Sequence, residues 1–184
     1  MVPAIIAIAV VVIILIAFIA GYNKLVKQRI TVDEAFSTMD VYLKKRFDLI
    51  PNLVETVKGY AKHEADTLEQ LAALRSKSYD SMSQEEKIAS GAALSQAIPK
   101  ILAVAEAYPE LRASDNFRDL TNQLSRVEDD IANARKYFNG AVKQYNVSVQ
   151  TVPNNIVAAL FHFETKQMYE VKEDSERENV KVVF

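Results

Sequence analysis

The sequence predicts an all-α protein, in which one N-terminal transmembrane helix carries a coiled-coil-like bundle on a single side of the bilayer. Three observations predict it. An uncharged apolar run opens the chain. An apolar repeat of about 3.5 residues persists over roughly four heptads in the C-terminal half. Gly and Pro number only 4 and 5 in 184 residues, which leaves little material for turns and favours few, long elements.

No side chain from Val2 to Gly21 is charged, and Ile5 to Ala20 contains only Ile, Val, Leu, Phe and Ala. At 1.5 Å per residue, about 20 such residues cover a hydrocarbon core roughly 30 Å thick. A cleaved signal peptide would need a basic start and an apolar stretch of only about 7–15 residues. The run is therefore read as an uncleaved, single-pass anchor that meets the lipid bilayer through Val2 to Gly21. Lys24, Lys27 and Arg29 follow it directly, and Lys44, Lys45 and Arg46 come soon after. By the positive-inside rule the N-terminus is expected outside and the bundle in the cytoplasm. Tyr22 stands where an interfacial aromatic belongs.

The composition is that of a folded chain, 49% hydrophobic and 25% charged. A net charge of −2 offers no concentrated basic face, so nucleic acid is excluded as an expected partner. The absence of cysteine removes disulfides, thiolate zinc sites and thiol nucleophiles. Three regions are expected: an anchor over 1–22, a helical bundle over 23–152, and a short apolar segment with a charged tail over 153–184.

Phe117, Leu120, Leu124, Val127, Ile131, Ala134, Phe138, Ala141 and Tyr145 alternate three and four apart. This seam should face a partner helix and supercoil left-handedly, with Ser114 or Asp115 as N-cap. A second stripe runs through Val32, Phe36, Met39, Leu43, Phe47 and Ile50, and continues through Leu53, Val57, Tyr60 or Ala61, Leu68, Leu71 and Leu74. Pro51 lies inside it. Proline lacks the amide hydrogen a helix needs, so the segment must either kink there or end and restart. The expectation is two helices, the second one that Asp48 could cap, with a single kinked helix as the alternative because the stripe keeps its phase across the proline. Ser83-Gln84-Glu85-Glu86 fits the capping box and should start a helix with Ile88, Leu94, Ile98, Ile101 or Leu102, Ala105 and Tyr108 on its apolar face. Pro99 predicts a kink in it and Pro109 its end. Pro153-Asn154-Asn155 reads as a turn, and Ile156 to Phe163 as a short apolar helix or strand.

Several phrases, taken together, resemble the bacterial LemA family. Tyr22-Asn23-Lys24-Leu25-Val26 follows the anchor, and Arg46-Phe47-Asp48-Leu49-Ile50-Pro51-Asn52-Leu53-Val54 precedes Val57-Lys58-Gly59-Tyr60 and His63-Glu64. Ala105-Glu106-Ala107-Tyr108-Pro109-Glu110-Leu111 comes next. Then Glu128, Ile131, Ala134-Arg135, Asn139, Val142, Tyr145-Asn146, Pro153 and Phe161 fall at the family's spacing. Tyr137-Phe138-Asn139 and Met168-Tyr169 depart from its usual aromatic order but keep aromatic bulk. The resemblance implies an N-terminal anchor and an antiparallel bundle of about four long helices, in a bacterial membrane protein of poorly defined activity. A magnetosome-associated branch of the family suggests membrane organisation as one use of the scaffold.

Candidate site residues divide into two groups. Arg46, Asp48 and Asn52 flank the proline and would form either a recognition surface or, more simply, helix caps and dipole partners. Arg135, Asn139, Tyr145 and Asn146 lie on or beside the heptad seam, where polar side chains fix register or line a partner groove. Glu128-Asp129-Asp130 reads as a solvated face. His63-Glu64, with Asp66 nearby, lacks the second histidine of an H-E-x-x-H site because position 67 is Thr, so neither metal nor cofactor is expected. Lone carboxylates such as Glu55 and Glu64 make a weak case for a hydrolase. The expectation is a membrane-anchored scaffold or adaptor without enzymatic activity, acting through an unknown protein partner or self-association. The alternative is a membrane-tethered sensor or regulator that binds a small ligand or envelope-stress component.

Overall fold

The computed structural model describes residues 2–60 and 78–169. Among them the elements are α1 (Val2–Lys58), a 3₁₀ turn (Tyr79–Ser81), α2 (Gln84–Glu106), α3 (Pro109–Ala113), α4 (Asp115–Gln150) and α5 (Asn154–Leu160). The protein is all-α, as its apolar spacing predicts. By contacts it divides into two compact units, one of Met1–Met39 with Ala132–Met168 and the other of Asp40–Ile131 with Tyr169–Phe184.

At 57 residues, α1 is about 85 Å long. Its first part is apolar on every side and, up to Ala17, is left uncovered by the described residues; Ile5, Ile8, Ile13, Ile16 and Ile19 are each 61–65% exposed. A helix that is hydrophobic all round needs a non-aqueous surround. From Leu25 onward the pattern changes to a stripe, with Leu25, Val32, Ala35, Met39, Leu43, Phe47 and Ile50 buried. Helix α2 is also long and apolar enough to cross a membrane. However, it buries Leu94, Ile98, Ile101 and Ala105 against protein and carries Glu85, Glu86, Lys87, Lys100 and Glu106, as a core helix does.

Pro51 neither ends nor restarts α1, which corrects the expectation of two helices capped by Asp48. A proline inside a helix costs about 3 kcal/mol or more, whereas full burial of one large apolar side chain contributes roughly 1.5–3 kcal/mol. Ile50, Leu53, Val54 and Val57 are all buried around the proline, so packing outweighs the lost bond. Asp48 instead pairs with Lys44 one turn earlier, at 3.3 Å. Pro99 is likewise carried inside α2, while Pro109 opens α3 at its first position, where a missing amide hydrogen costs little. The capping box at Ser83 forms: the Glu86 amide donates to Ser83 Oγ at 3.2 Å, and the Ser83 amide to the Glu86 carboxylate at 2.9 Å.

In the first unit α1 and α4 run antiparallel. Phe36 and Phe138 meet edge to face at 5.8 Å, and Lys24 and Gln28, earlier in α1, line one groove with Lys143, Gln144 and Ser148, later in α4. The seam of α4 is buried at Phe138, Ala141 and Tyr145, with Val142 buried beside it. Helix α5 packs on α1 at Gly21, where a β-carbon would lie 3.1 Å from Asn154 Oδ1 and 3.4 Å from Val157. After α5, His162 adopts φ 55°, and the Phe163 amide donates to the Ala158 carbonyl at 2.9 Å. This is a Schellman end, which usually employs glycine. In the second unit α2 runs parallel to α1, since Asp40 meets Lys87 and, further along both helices, Arg46 meets Ser95. Leu124, Val127 and Ile131 bury the α4 seam here.

Candidate functional site

In the second unit the largest fully buried side chain is charged. Arg46 has no exposed surface, because its place on α1 is one turn from Leu43 and Ile50 on the buried stripe. Its Nη1 donates to both carboxylate oxygens of Glu128 on α4, at 2.8 and 3.0 Å, and to Ser95 Oγ on α2 at 2.8 Å. Nη2 donates to the Gly91 carbonyl at 2.7 Å. One guanidinium thereby ties three helices together. Gly91 permits the approach, since a β-carbon there would lie 3.2 Å from Arg46 Nη2, 3.1 Å from Leu43 and only 2.9 Å from the Tyr169 hydroxyl.

A second polar cluster lies two turns earlier on α1. Asp40 accepts from the Tyr79 hydroxyl and from Lys87 Nζ, each at 2.7 Å. The Tyr79 ring packs 5.1 Å from Phe47 and lies under the ammonium groups of Lys87 and Lys44, at 4.9 and 5.6 Å. Burial, then the hydrogen bond to Asp40 and its charge, push the Tyr79 pKa well above the usual tyrosine range. The hydroxyl therefore stays protonated and donates, and its role is to hold rather than to transfer protons.

In the first unit a neutral amide has the corresponding role. Asn146 donates through Nδ2 to the Lys166 carbonyl at 2.8 Å and accepts the Lys166 amide at 2.9 Å. This two-bond clasp lays the segment after α5 along α4. The Lys166 ammonium also pairs with Asp33 on α1, Arg29 covers the Phe163 ring at 5.2 Å, and Tyr22 packs against Phe161 and Phe163 at 4.8 and 5.7 Å. Tyr145 is buried, and burial raises its pKa.

The candidate residues thus fall into both units. Arg46, Asp48 and Asn52 are in one, where Arg46 is enclosed while Asp48 and Asn52 are exposed. Arg135, Asn139, Tyr145 and Asn146 are in the other, where Tyr145 is buried and the rest are half-buried. Arg135 and Asn139 each have a partner. The capping role expected for Arg46 and Asp48 is replaced, because α1 has no terminus there. Glu128 also departs from the solvated face expected of it: it adjoins Val127 on the seam and turns toward Arg46, leaving Asp129 exposed. Asp33, Asp40, Tyr79, Lys87, Ser95 and Lys166 were not legible as site residues. The one available signal was Glu128's position beside the seam. His63-Glu64 lies outside the described residues, and among the described ones no three His, Cys, Asp or Glu side chains converge to hold a metal.

An unbroken helix that leaves a bilayer-length apolar rod bare and then enters a helical core defines a membrane-associated, all-helical protein. The family model described as LemA family matches residues 35–184, and the chain belongs to that family. It is similar to magnetosome protein MamQ 2 of Paramagnetospirillum magneticum, 29% identical over 76 residues, which are 41% of this chain and 28% of that one. Magnetosome protein MamQ of Magnetospirillum gryphiswaldense is 28% identical over the same shares. Protein LemA of Metamycoplasma hominis is 24% identical over 77% of this chain and 65% of its own. The chain therefore spans less than two thirds of the length of each of these relatives.

Proposed function

We propose that the protein is a membrane-anchored scaffold or adaptor without enzymatic activity, whose bundle surface recruits a protein partner or self-associates. The observation that carries this reading is the continuity of α1 from Val2 to Lys58: the same helix that meets lipid also supplies the bundle's buried stripe. Anchor (1–22), bundle (23–152) and C-terminal segment (153–184) are the working parts of the reading. Arg46 and Tyr145 stiffen the frame from within. Asp48 and Asn52 in one unit, and separately the accessible edges of Arg135, Asn139 and Asn146 in the other, are the recognition surfaces of this reading. Kinship with proteins named for the magnetosome supports a use in organising membranes.

Lys24, Lys27 and Arg29 favour a cytoplasmic bundle with the N-terminus outside. Since the chain has no cysteine, Asn52→Cys can be probed with a membrane-impermeant maleimide on intact cells; labelling before lysis overturns this orientation. The function is tested by cross-linking the protein in intact cells, extracting it in mild detergent and identifying what is attached by mass spectrometry. A stoichiometric partner or a defined self-oligomer supports the scaffold; recovery of a bare monomer retires it. A bare monomer would favour the second reading, a tethered sensor. That reading draws on an open groove of about 420 Å³ lined by Lys24, Gln28, Lys143, Gln144 and Ser148, among others, beside the helix that enters the membrane.

A further inference from the structure

Helix α5 presents an apolar face that the described residues leave bare. Ile156 is 59% exposed, Leu160 62% and Phe161 49%, and Val152, just before the helix, is 78% exposed. Ile156 and Leu160 are one turn apart and so share a face. The opposite face is the packed one, with Val157 and Ala158 buried and Val157 set against Gly21. A soluble surface seldom groups large apolar side chains in this way without a binding purpose.

The position of α5 along α1 identifies what covers that face. Gly21 ends the apolar run, and Phe161 packs not only on Tyr22 but also on Phe18, at 6.4 Å. Phe18 lies three residues inside the run, about 4–5 Å back along the helix axis. Any placement of α1 that buries its apolar run in hydrocarbon therefore carries Phe161 to the same depth. Charged groups begin just beyond: Lys24 on α1 and Lys143 on α4 border one groove with Gln28, Gln144 and Ser148. Gly140 lines the same groove, and a β-carbon there would meet open space. Apolar residues at the level of the span's end, with ammonium groups about one turn further out, follow the layering of acyl chains and phosphates in a bilayer leaflet.

We infer that α5 is a second membrane contact, an interfacial helix whose Ile156, Leu160 and Phe161 enter the leaflet beside the end of the α1 span, while Lys24 and Lys143 face lipid phosphates. This rests on α1 spanning the bilayer and not on the scaffold role. It gives the anchor a lateral foot, so that a single-pass helix is fixed in depth and rotation by lipid as well as by its own length.

The chain contains no tryptophan, so one introduced indole is an unambiguous reporter. Full-length Leu160→Trp and Ile156→Trp would be reconstituted in vesicles containing lipids brominated either near the glycerol or near the bilayer centre. Val12→Trp in the middle of the span and Val41→Trp, exposed on α1 twenty residues past Gly21, serve as references. Both α5 reporters should emit at short wavelength and be quenched more by the shallow bromines, Val12→Trp more by the deep ones, and Val41→Trp by neither. Unquenched emission at 156 and 160 with quenching at 12 overturns the interfacial helix while leaving the anchor intact. Absence of quenching at all four positions overturns both.

Discussion

In the unit of Asp40–Ile131 with Tyr169–Phe184 the helices are fastened by a buried cation, Arg46, whose counter-charge Glu128 reaches the surface. In the unit of Met1–Met39 with Ala132–Met168 the corresponding fastening is a neutral amide, Asn146, assisted by stacked rings and an ion pair between Lys166 and Asp33. The difference is one of tolerance. A charge held without water demands its partners, and removal of one leaves a penalty larger than the interaction itself. An amide clasp gives up only its own two bonds, and the half-exposed ion pair beside it adds little. The Arg46 unit should therefore respond to substitution as a whole, and the Asn146 unit locally.

Glu128→Ala provides the largest break. It strands a fully buried guanidinium, and about 3 kcal/mol of stability should be lost, at the low end for a broken buried pair because Ser95 and Gly91 still accept from it. Thermal unfolding of the full chain in detergent, followed by circular dichroism, measures this; a loss below about 1 kcal/mol, the range of surface pairs, would contradict it.

Gly91→Ala comes next. Alanine improves helix propensity by about 1 kcal/mol, yet its methyl group would press on the Tyr169 hydroxyl and Arg46, so a net loss of about 1–2 kcal/mol is expected. A stabilised variant would show that the contact yields freely.

On the other side of the comparison, Asn146→Ala should cost about 1–2 kcal/mol for two hydrogen bonds. Hydrogen exchange should quicken in residues 162–168 and stay unchanged around Arg46. Acceleration in both places would remove the distinction between the two units.

Tyr79→Phe sharpens the comparison through pH. A pKa raised above the ordinary value of about 10 means that the folded state holds the proton more tightly than the unfolded one. That stabilisation is complete below pH 10 and is lost as pH rises further, because the unfolded chain ionises first. The alkaline fall in stability should therefore be shallower in Tyr79→Phe, with about 1 kcal/mol lost at neutral pH for the bond to Asp40. Tyr145, raised in the same direction, maintains part of the slope; an alkaline limb identical to that of the parent would count against the assignment. The smallest effect expected is a gain: His162→Gly relieves a left-handed residue at the end of α5 and should add up to about 1 kcal/mol, read as a rise in melting temperature.

The sequence by itself determined what depends on neighbours along the chain. The bilayer-length apolar run of Val2–Gly21, the stripe from Val32 to Val57, the heptad seam of α4 and the capping box at Ser83 all follow from residue type and spacings of a few residues, because helix periodicity places side chains three and four apart on one face. The resemblance added family membership through phrases spread along the chain. Tertiary structure alone decided the rest. Arg46 and Glu128 are 82 positions apart and Asp40 and Tyr79 are 39 apart, and no local rule pairs them. Pro51 and Pro99 are breakers by local chemistry, yet both sit inside helices, since the apolar burial that outweighs them comes from other elements. Phe161 is of the same kind: it is an ordinary apolar residue in the sequence and comes to the end of the apolar run only because the fold sets it on Phe18.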